Sequence, residues 1–163
     1  MRNNMRVLAI DPGYEKMGVA VLEKTSGREI LIFSECFKTS RTVSHAKRLS
    51  GISGEITRLL ERYRPEFLSV EKLFFAKNQK TALQVAEARG VVLAEAAKTG
   101  LTVKEFTPME AKIAVTGYGR GNKNQIKYMV EKMIAINKKI KEDDEYDAIA
   151  LGLTFLASYR GSE

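Results

Sequence analysis

The sequence predicts an α/β fold: a mixed five-stranded sheet with helices on both faces. Three observations predict it. Three strand-like apolar runs near the N-terminus are joined by short turns, which reads as an antiparallel meander. Two later apolar runs are each reached through a helical stretch, which sets them parallel to the first. The remaining stretches are helical, and the sheet needs helices on both faces to bury them. The 163 residues carry no repeat, low-complexity tract or Pro/Ser linker, so they read as a single domain, 1–163.

The elements follow in order. Met5–Asp11 and Gly18–Leu22 are the first two strands, separated by an Asp-Pro-Gly turn. Ser26–Glu29 turns the chain into a third strand, Ile30–Phe37. A helix covers Ser44–Tyr63: Leu49, Ile52, Ile56, Leu59 and Leu60 fall at helical spacing, and Pro65 marks its end. Phe67–Glu71 is the fourth strand. An Ala-rich helix runs from about Lys80 to Lys98 and is stopped by Gly100. Leu101–Phe106 is the fifth strand. Thr107 caps a short helix, with Pro108 at its first position and Glu110 closing a capping box. The glycine-rich basic loop Gly117–Lys123 leads to two more helices, about Asn124–Ile136 and Asp144–Tyr159.

Composition narrows the function. The apolar fraction of 44% and charged fraction of 29% are those of a globular protein. No apolar run approaches the roughly 20 residues of a membrane-spanning helix, and the first residues lack a signal-peptide layout, so no membrane partner is expected. Cys36 is the only cysteine, which fits a cytoplasmic location. His45 is the only histidine; zinc sites built on several His or Cys are excluded, and a Ser-His-Asp triad is disfavoured. His45 reads as a surface residue with no partner cluster, and Cys36 as structural. The +7 net charge, from 27 Lys and Arg against 20 Asp and Glu, favours a polyanionic partner such as nucleic acid or a membrane surface.

In so basic a chain, gathered acids carry information. Asp11 ends the first strand and Glu71 ends the fourth. If those strands are parallel neighbours, both carboxylates leave the same edge, where ligand sites of open α/β sheets lie. Asp144 and Asp147, three apart at a helix start, share a face. Helix capping accounts for Asp143, Asp144 and Glu145. It accounts less well for Asp147, which opens the apolar run to Leu156 and is expected to point inward. Four carboxylates in one pocket repel one another unless a cation is present. Hard oxygen ligands suit Mg²⁺ or Mn²⁺, and two such ions suit phosphodiester hydrolysis. Spacing alone leaves two readings open: a carboxylate-metal nuclease, or capping and turn acids with no catalytic role.

Four segments then carry a resemblance: "LAIDPGYEKMGVAV", "VEKLFFAKNQKTALQVAEARGVVLAEA", "TPMEAKIAVTGYGRGNKNQI" and "DDEYDAIALGL". Together, and in this order, they are similar to the RuvC family of crossover junction endodeoxyribonucleases. The resemblance runs from about Arg6 to Ala157. It implies an RNase H-like fold, a homodimer, and Mg²⁺-dependent, symmetric cleavage of four-way (Holliday) DNA junctions, with two ions per site and Mn²⁺ as the alternative. Asp11 matches the family's first acid and Glu71 the second. Asp144 and Asp147 match the closing pair, with Asp143 held in reserve. All four are expected catalytic and metal-binding residues. Products are expected to carry 5′-phosphate and 3′-hydroxyl ends. Family members work beside a branch-migration complex, so one is expected as a partner here.

The DNA-binding residues implied are Phe74, Lys77, Asn78, Lys112, Arg120 and Lys123. Phe74 matches an aromatic that stacks on an exposed base, an interaction worth roughly 1–3 kcal/mol; Phe75 beside it is undecided. Lys77 and Asn78 read as phosphate contacts beside the acids. The Gly117–Lys123 loop offers backbone N–H groups with Arg120 and Lys123 as a phosphate cradle. Lys112 and Lys123 match basic family positions. Arg89 reads as a long side chain lying along a helix interface, and the small-residue face from Ala82 to Ala97 as a helix-on-helix dimer contact. Competing readings are another nuclease of this fold, an actin-like phosphotransferase, which needs a longer chain, and a binding module without catalysis.

Overall fold

The structure, a computed structural model, describes residues 4–73 and 79–159. Phe74, Phe75, Lys77 and Asn78 lie outside the described residues. The elements are β1 (Met5–Asp11), β2 (Lys16–Thr25), β3 (Arg28–Lys38), α1 (His45–Tyr63), β4 (Phe67–Glu71), α2 (Gln79–Lys98), β5 (Thr102–Phe106), α3 (Pro108–Thr116), α4 (Lys123–Met133) and α5 (Asp143–Ser158). The five strands form one sheet in the order β3-β2-β1-β4-β5. β1, β2 and β3 make the antiparallel meander, while β4 runs parallel to β1 and β5 parallel to β4. This is the mixed sheet expected, with RNase H-like topology.

Strand alternation divides the core into two layers. Val7 and Ala9 of β1 and Ala20 and Leu22 of β2 face α5, with α3 and α4 packed beyond it. Leu8 and Ile10 of β1 and Met17, Val19 and Val21 of β2 face α1 and α2. Burying each large apolar side chain contributes about 1.5–3 kcal/mol. The same parity sends Asp11, two residues beyond Ala9, toward the α5 layer. On β4, Leu68 and Val70 face α1 and α2, whereas Ser69 donates to the carbonyl of Leu151 in α5 at 2.9 Å. Glu71 therefore also falls on the α5 side.

Local chemistry sets the element ends. Ser26 and Gly27 both have positive φ, 50° and 78°, the geometry of a two-residue hairpin turn. Ser44 caps α1 by accepting from the Lys47 N–H. Thr107 and Glu110 form the expected capping box on α3, and Asn122 and Gln125 form a second one on α4. α4 ends at Met133, three residues short of the sequence expectation. Ile134 is buried, Ala135 exposed and Ile136 half-buried, so the chain leaves the helix extended. β2 runs to Thr25, past the apolar run, because Glu23 and Lys24 continue the pairing with β1.

α5 lies close against β2 through two glycines. A Cβ on Gly152 of α5 would sit 2.4 Å from Leu22 Cδ1, and a Cβ on Gly18 of β2 would sit 1.8 Å from the Asp144 carbonyl oxygen. Among the described residues, no helix is long and apolar enough to cross a membrane.

Candidate active site

The last parallel pair of β1 and β4 is Ile10 with Val70. Asp11 and Glu71 are the next residue on each strand, so the two acids leave neighbouring strand ends on the same face. Asp11 also pairs with Gly18 across the hairpin. The bare Gly18 backbone admits the first turn of α5, which carries Asp144 and, three residues on, Asp147. The three stretches of chain thereby converge at one edge.

The proximity has electrostatic consequences. The Asp11 carboxyl is held well above the usual carboxylate range, first by burial, then by the charges of Glu71, Asp147 and Asp144. Glu71 is pushed up to about 7, first by burial and then by Asp147. Asp147 is also raised, by burial first, with Asp144 and Asp143 adding to it and Lys123 opposing. These are the signs expected of acids gathered in a partly desolvated pocket with too few cations. The inward orientation expected of Asp147 agrees with this.

The other acids of the α5 start are engaged elsewhere. Glu145 is buried and accepts from Ser34 at 2.6 Å and from Lys138 at 2.5 Å. Asp143 bonds Lys123 at 3.3 Å. The N-cap position, Glu142, makes no side-chain capping bond; it accepts from Lys16 at 2.7 Å and Lys38 at 2.5 Å. Asp144, in the first turn of α5, is favoured by the helix dipole, and its charge also raises the Asp11 carboxyl.

A cleft of about 430 Å³ opens beside the acids. Glu71, Asp147, Lys112, Asn122 and Lys123 are among the residues that line it, while Asp11 and Asp144 stand outside its lining. Lys112 and Lys123, expected from the resemblance as DNA-binding residues, line the same cleft as Glu71 and Asp147. Arg120 is exposed on the α3–α4 connection, outside the cleft lining.

Among the described residues, one trio has ligand atoms all within 4.8 Å of one another: Cys36, Glu142 and Asp144. The four expected acids are spread more widely than that. The trio is poorly suited to a cation of its own. Glu142 is already neutralised by two lysines, and burial, then the Asp144 charge, pushes the Cys36 thiol up to about 11, so it stays protonated. Asp11, Glu71, Asp144 and Asp147 offer the hard, oxygen-only donor set that suits Mg²⁺ or Mn²⁺.

Two residues have contacts that the sequence did not reveal. His45 is exposed at the start of α1, as expected, but it has partners: its Nδ1 bonds the Tyr14 hydroxyl at 2.7 Å and its Nε2 meets Glu87 at 2.6 Å. Tyr14 follows the Asp-Pro-Gly turn and Glu87 lies in α2, so the contacts come from remote segments invisible in local pattern. Arg89 turns its guanidinium to the sheet, bonding the Glu71 carbonyl and Glu105.

Comparisons with known proteins bear on this arrangement. A family model described as "Crossover junction endodeoxyribonuclease RuvC" matches residues 7–155. A RuvC of Moorella thermoacetica is 42% identical over 149 residues, covering 91% of this chain and 89% of the relative. One of Pelotomaculum thermopropionicum is 39% identical, covering 95% and 94%. The solved structure of Thermus thermophilus RuvC with its Holliday junction substrate superposes with a TM-score of 0.86 at 31% identity, over 93% of each chain. The yeast mitochondrial resolvase, at 13% identity and a TM-score of 0.66, shares the fold. A family match across nearly the whole length, with relatives near 40% identity, makes this chain a member of the RuvC family of crossover junction endodeoxyribonucleases, hydrolases of DNA recombination and repair.

Proposed function

We propose that the chain resolves four-way DNA junctions by cutting two symmetric strands, with Asp11, Glu71, Asp144 and Asp147 holding two Mg²⁺ ions per site. Mn²⁺ is the alternative ion. The observation that carries this reading is geometric: Asp11 and Glu71 each stand one residue past the last parallel pair of β1 and β4, and Asp147 of α5 lines the same cleft as Glu71. Two ions spread their ligands over a wider span than one, in keeping with acids that do not close into a single tight trio. When bound, such ions polarise the scissile phosphate and favour ionisation of the attacking water.

The chain's own residues do the rest. Asp11 and Glu71 project from rigid strand ends, and Asp147 from a helix packed on the sheet, so their spacing is fixed before substrate arrives. Asp144 serves as ligand or proton acceptor. Lys112 and Lys123, which share the cleft lining with Glu71 and Asp147, orient the phosphate, with Arg120 reaching the flanking backbone and Phe74, Lys77 and Asn78 acting from the segment after Glu71. In-line displacement leaves 5′-phosphate and 3′-hydroxyl ends.

A junction with two-fold symmetry calls for two sites related by a two-fold axis. α2 offers the surface for a homodimer: Leu83, Gly90, Ala94 and Ala97 recur at helical spacing and are all exposed. We place the enzyme in the cytoplasm as one domain over 1–163, working beside a branch-migration complex.

The test is a labelled immobile junction incubated with Mg²⁺, using the unchanged chain and Asp147→Asn. Paired nicks that vanish in the variant support the reading; a junction left uncut at every metal and temperature tried rejects it. An RNA–DNA hybrid run in parallel separates it from a ribonuclease of the same fold.

A further inference from the structure

Arg89 sits midway along α2, and its side chain is only 16% exposed. Its Nε donates to the main-chain carbonyl of Glu71 at 3.1 Å, and a terminal nitrogen bonds the Glu105 carboxylate on β5. A guanidinium is a planar fork, so two acceptors on two strands fix its plane as well as its position.

The point of attachment matters. Glu71 is the last residue of β4, and one step later the Lys72 N–H bonds the Phe106 carbonyl at 2.8 Å. The strand end is thus held by β5 on one bond and by Arg89 on another. Ala88 and Val92, either side of Arg89, are buried in the layer on the α1 face of the sheet. The Glu71 carboxylate belongs to the opposite, α5 face. Arg89 therefore reaches from one layer to the strand terminus that serves the other.

We propose that Arg89 is a positioning residue for metal binding: it fixes the terminal peptide of β4 so that the Glu71 carboxylate stays in place to receive its ion. This rests on the reading of Glu71 as a metal ligand. Arg89 touches backbone rather than substrate, so it is not a catalytic residue. Glu105 is its anchor, compensating the charge of a largely buried guanidinium and holding the fork in plane. Partners that orient a metal ligand typically change metal affinity 10–100-fold when removed, in order of magnitude.

The test uses the full chain and Mn²⁺ alone as probe, with binding read by calorimetry. Variants are Arg89→Met, Arg89→Lys, Glu105→Gln, Glu71→Gln and the double variant Arg89→Met/Glu71→Gln. Arg89→Met is expected to weaken Mn²⁺ binding about tenfold. It raises the Mg²⁺ concentration for half-maximal junction cleavage likewise, while the rate at saturating Mg²⁺ falls less than about threefold. Arg89→Lys, which keeps the charge but loses the fork, falls between the two. In the Glu71→Gln background Arg89→Met has no further effect, because the ligand it positions is gone. If Arg89→Met does not fold, Glu105→Gln carries the comparison, with a smaller loss expected.

Unchanged Mn²⁺ affinity in Arg89→Met and Glu105→Gln, beside a weakened Glu71→Gln, overturns the inference and leaves the site reading standing. Unchanged affinity in Glu71→Gln overturns the site reading itself. Loss of junction binding by Arg89→Met in EDTA also overturns the inference, since it makes Arg89 a DNA contact.

Discussion

Gly18 and Asp144 touch backbone to backbone, with a Cβ on Gly18 falling 1.8 Å from the Asp144 carbonyl oxygen and 3.2 Å from Ala148 Cβ. Because Gly18 also pairs with Asp11, one contact sets both how closely α5 approaches the sheet and how far Asp144 and Asp147 lie from the first acid. Gly18→Ala must push the helix away, as the obstacle is main chain. Cleavage is expected to fall about 100-fold, the effect of misplacing a catalytic group by about 1 Å, with a stability loss of about 1–3 kcal/mol. Gly152→Ala meets the flexible end of Leu22 instead. It is expected to cost similar stability yet keep most activity. Thermal melts and junction cleavage of both variants decide; equal activity losses would break the link between Gly18 and the acids.

Asp11→Asn separates stability from activity. The Asp11 carboxylate is disfavoured by burial and by three neighbouring charges. Replacing it with a neutral isostere removes that penalty, so the melting temperature in EDTA is expected to rise. Junction cleavage is expected to drop at least about a thousandfold. A variant less stable in EDTA than the unchanged chain would show that the acids do not repel.

The same repulsion sets a pH dependence. The Glu71 carboxyl, near 4.5 when unfolded, sits at about 7 in the folded chain. The folded state therefore binds the extra proton between those values, and metal-free stability falls as pH rises from about 4.5 to about 7. Asp11 and Asp147 shift in the same direction. Mg²⁺ requires the ionised form, so its stabilising effect grows across that window. Urea midpoints from pH 5 to 7.5, in EDTA and in Mg²⁺, check both slopes, and Glu71→Gln is expected to flatten the first.

The sequence was informative wherever function depends on period and direction. Asp11 and Glu71 each close an apolar strand, and two-residue alternation with parallel pairing fixes their edge and face. Thr107 and Glu110 announce a helix start through side chains that reach only three residues. Gly18 and Arg89 belong to another class. Gly18 matters because of a helix more than 120 residues later, and Arg89 because of a main-chain carbonyl, which has no residue type to read. His45 likewise depends on Tyr14 and Glu87, brought together only by the packing of α1 and α2 beside the hairpin. α4 misled for a local reason: Ile134 and Ile136 are apolar in any frame, and packing, not propensity, ends the helix before them.

The basic residues of the cleft lining yield the last prediction. Lys112 and Lys123 both line it, and both also act on the acids: Lys112 lowers Glu71 and Asp147, and Lys123 lowers Asp11 and Asp147. Each lysine that neutralises a DNA phosphate contributes about one unit to the slope of log affinity against log salt. Lys112→Ala and Lys123→Ala are each expected to reduce that slope by about one and to weaken junction binding uniformly across sequences. Removing either positive charge also lets the carboxyls rise further, so the pH of half-maximal cleavage is expected to move upward in both. Arg120→Ala, outside the cleft lining, is expected to lower the salt slope without moving the pH profile. Binding across a salt series and cleavage rates from pH 6 to 9 on the three variants tell the roles apart. A pH shift in Arg120→Ala equal to those of the lysines would mean that the loop, rather than the cleft wall, sets the field at the acids.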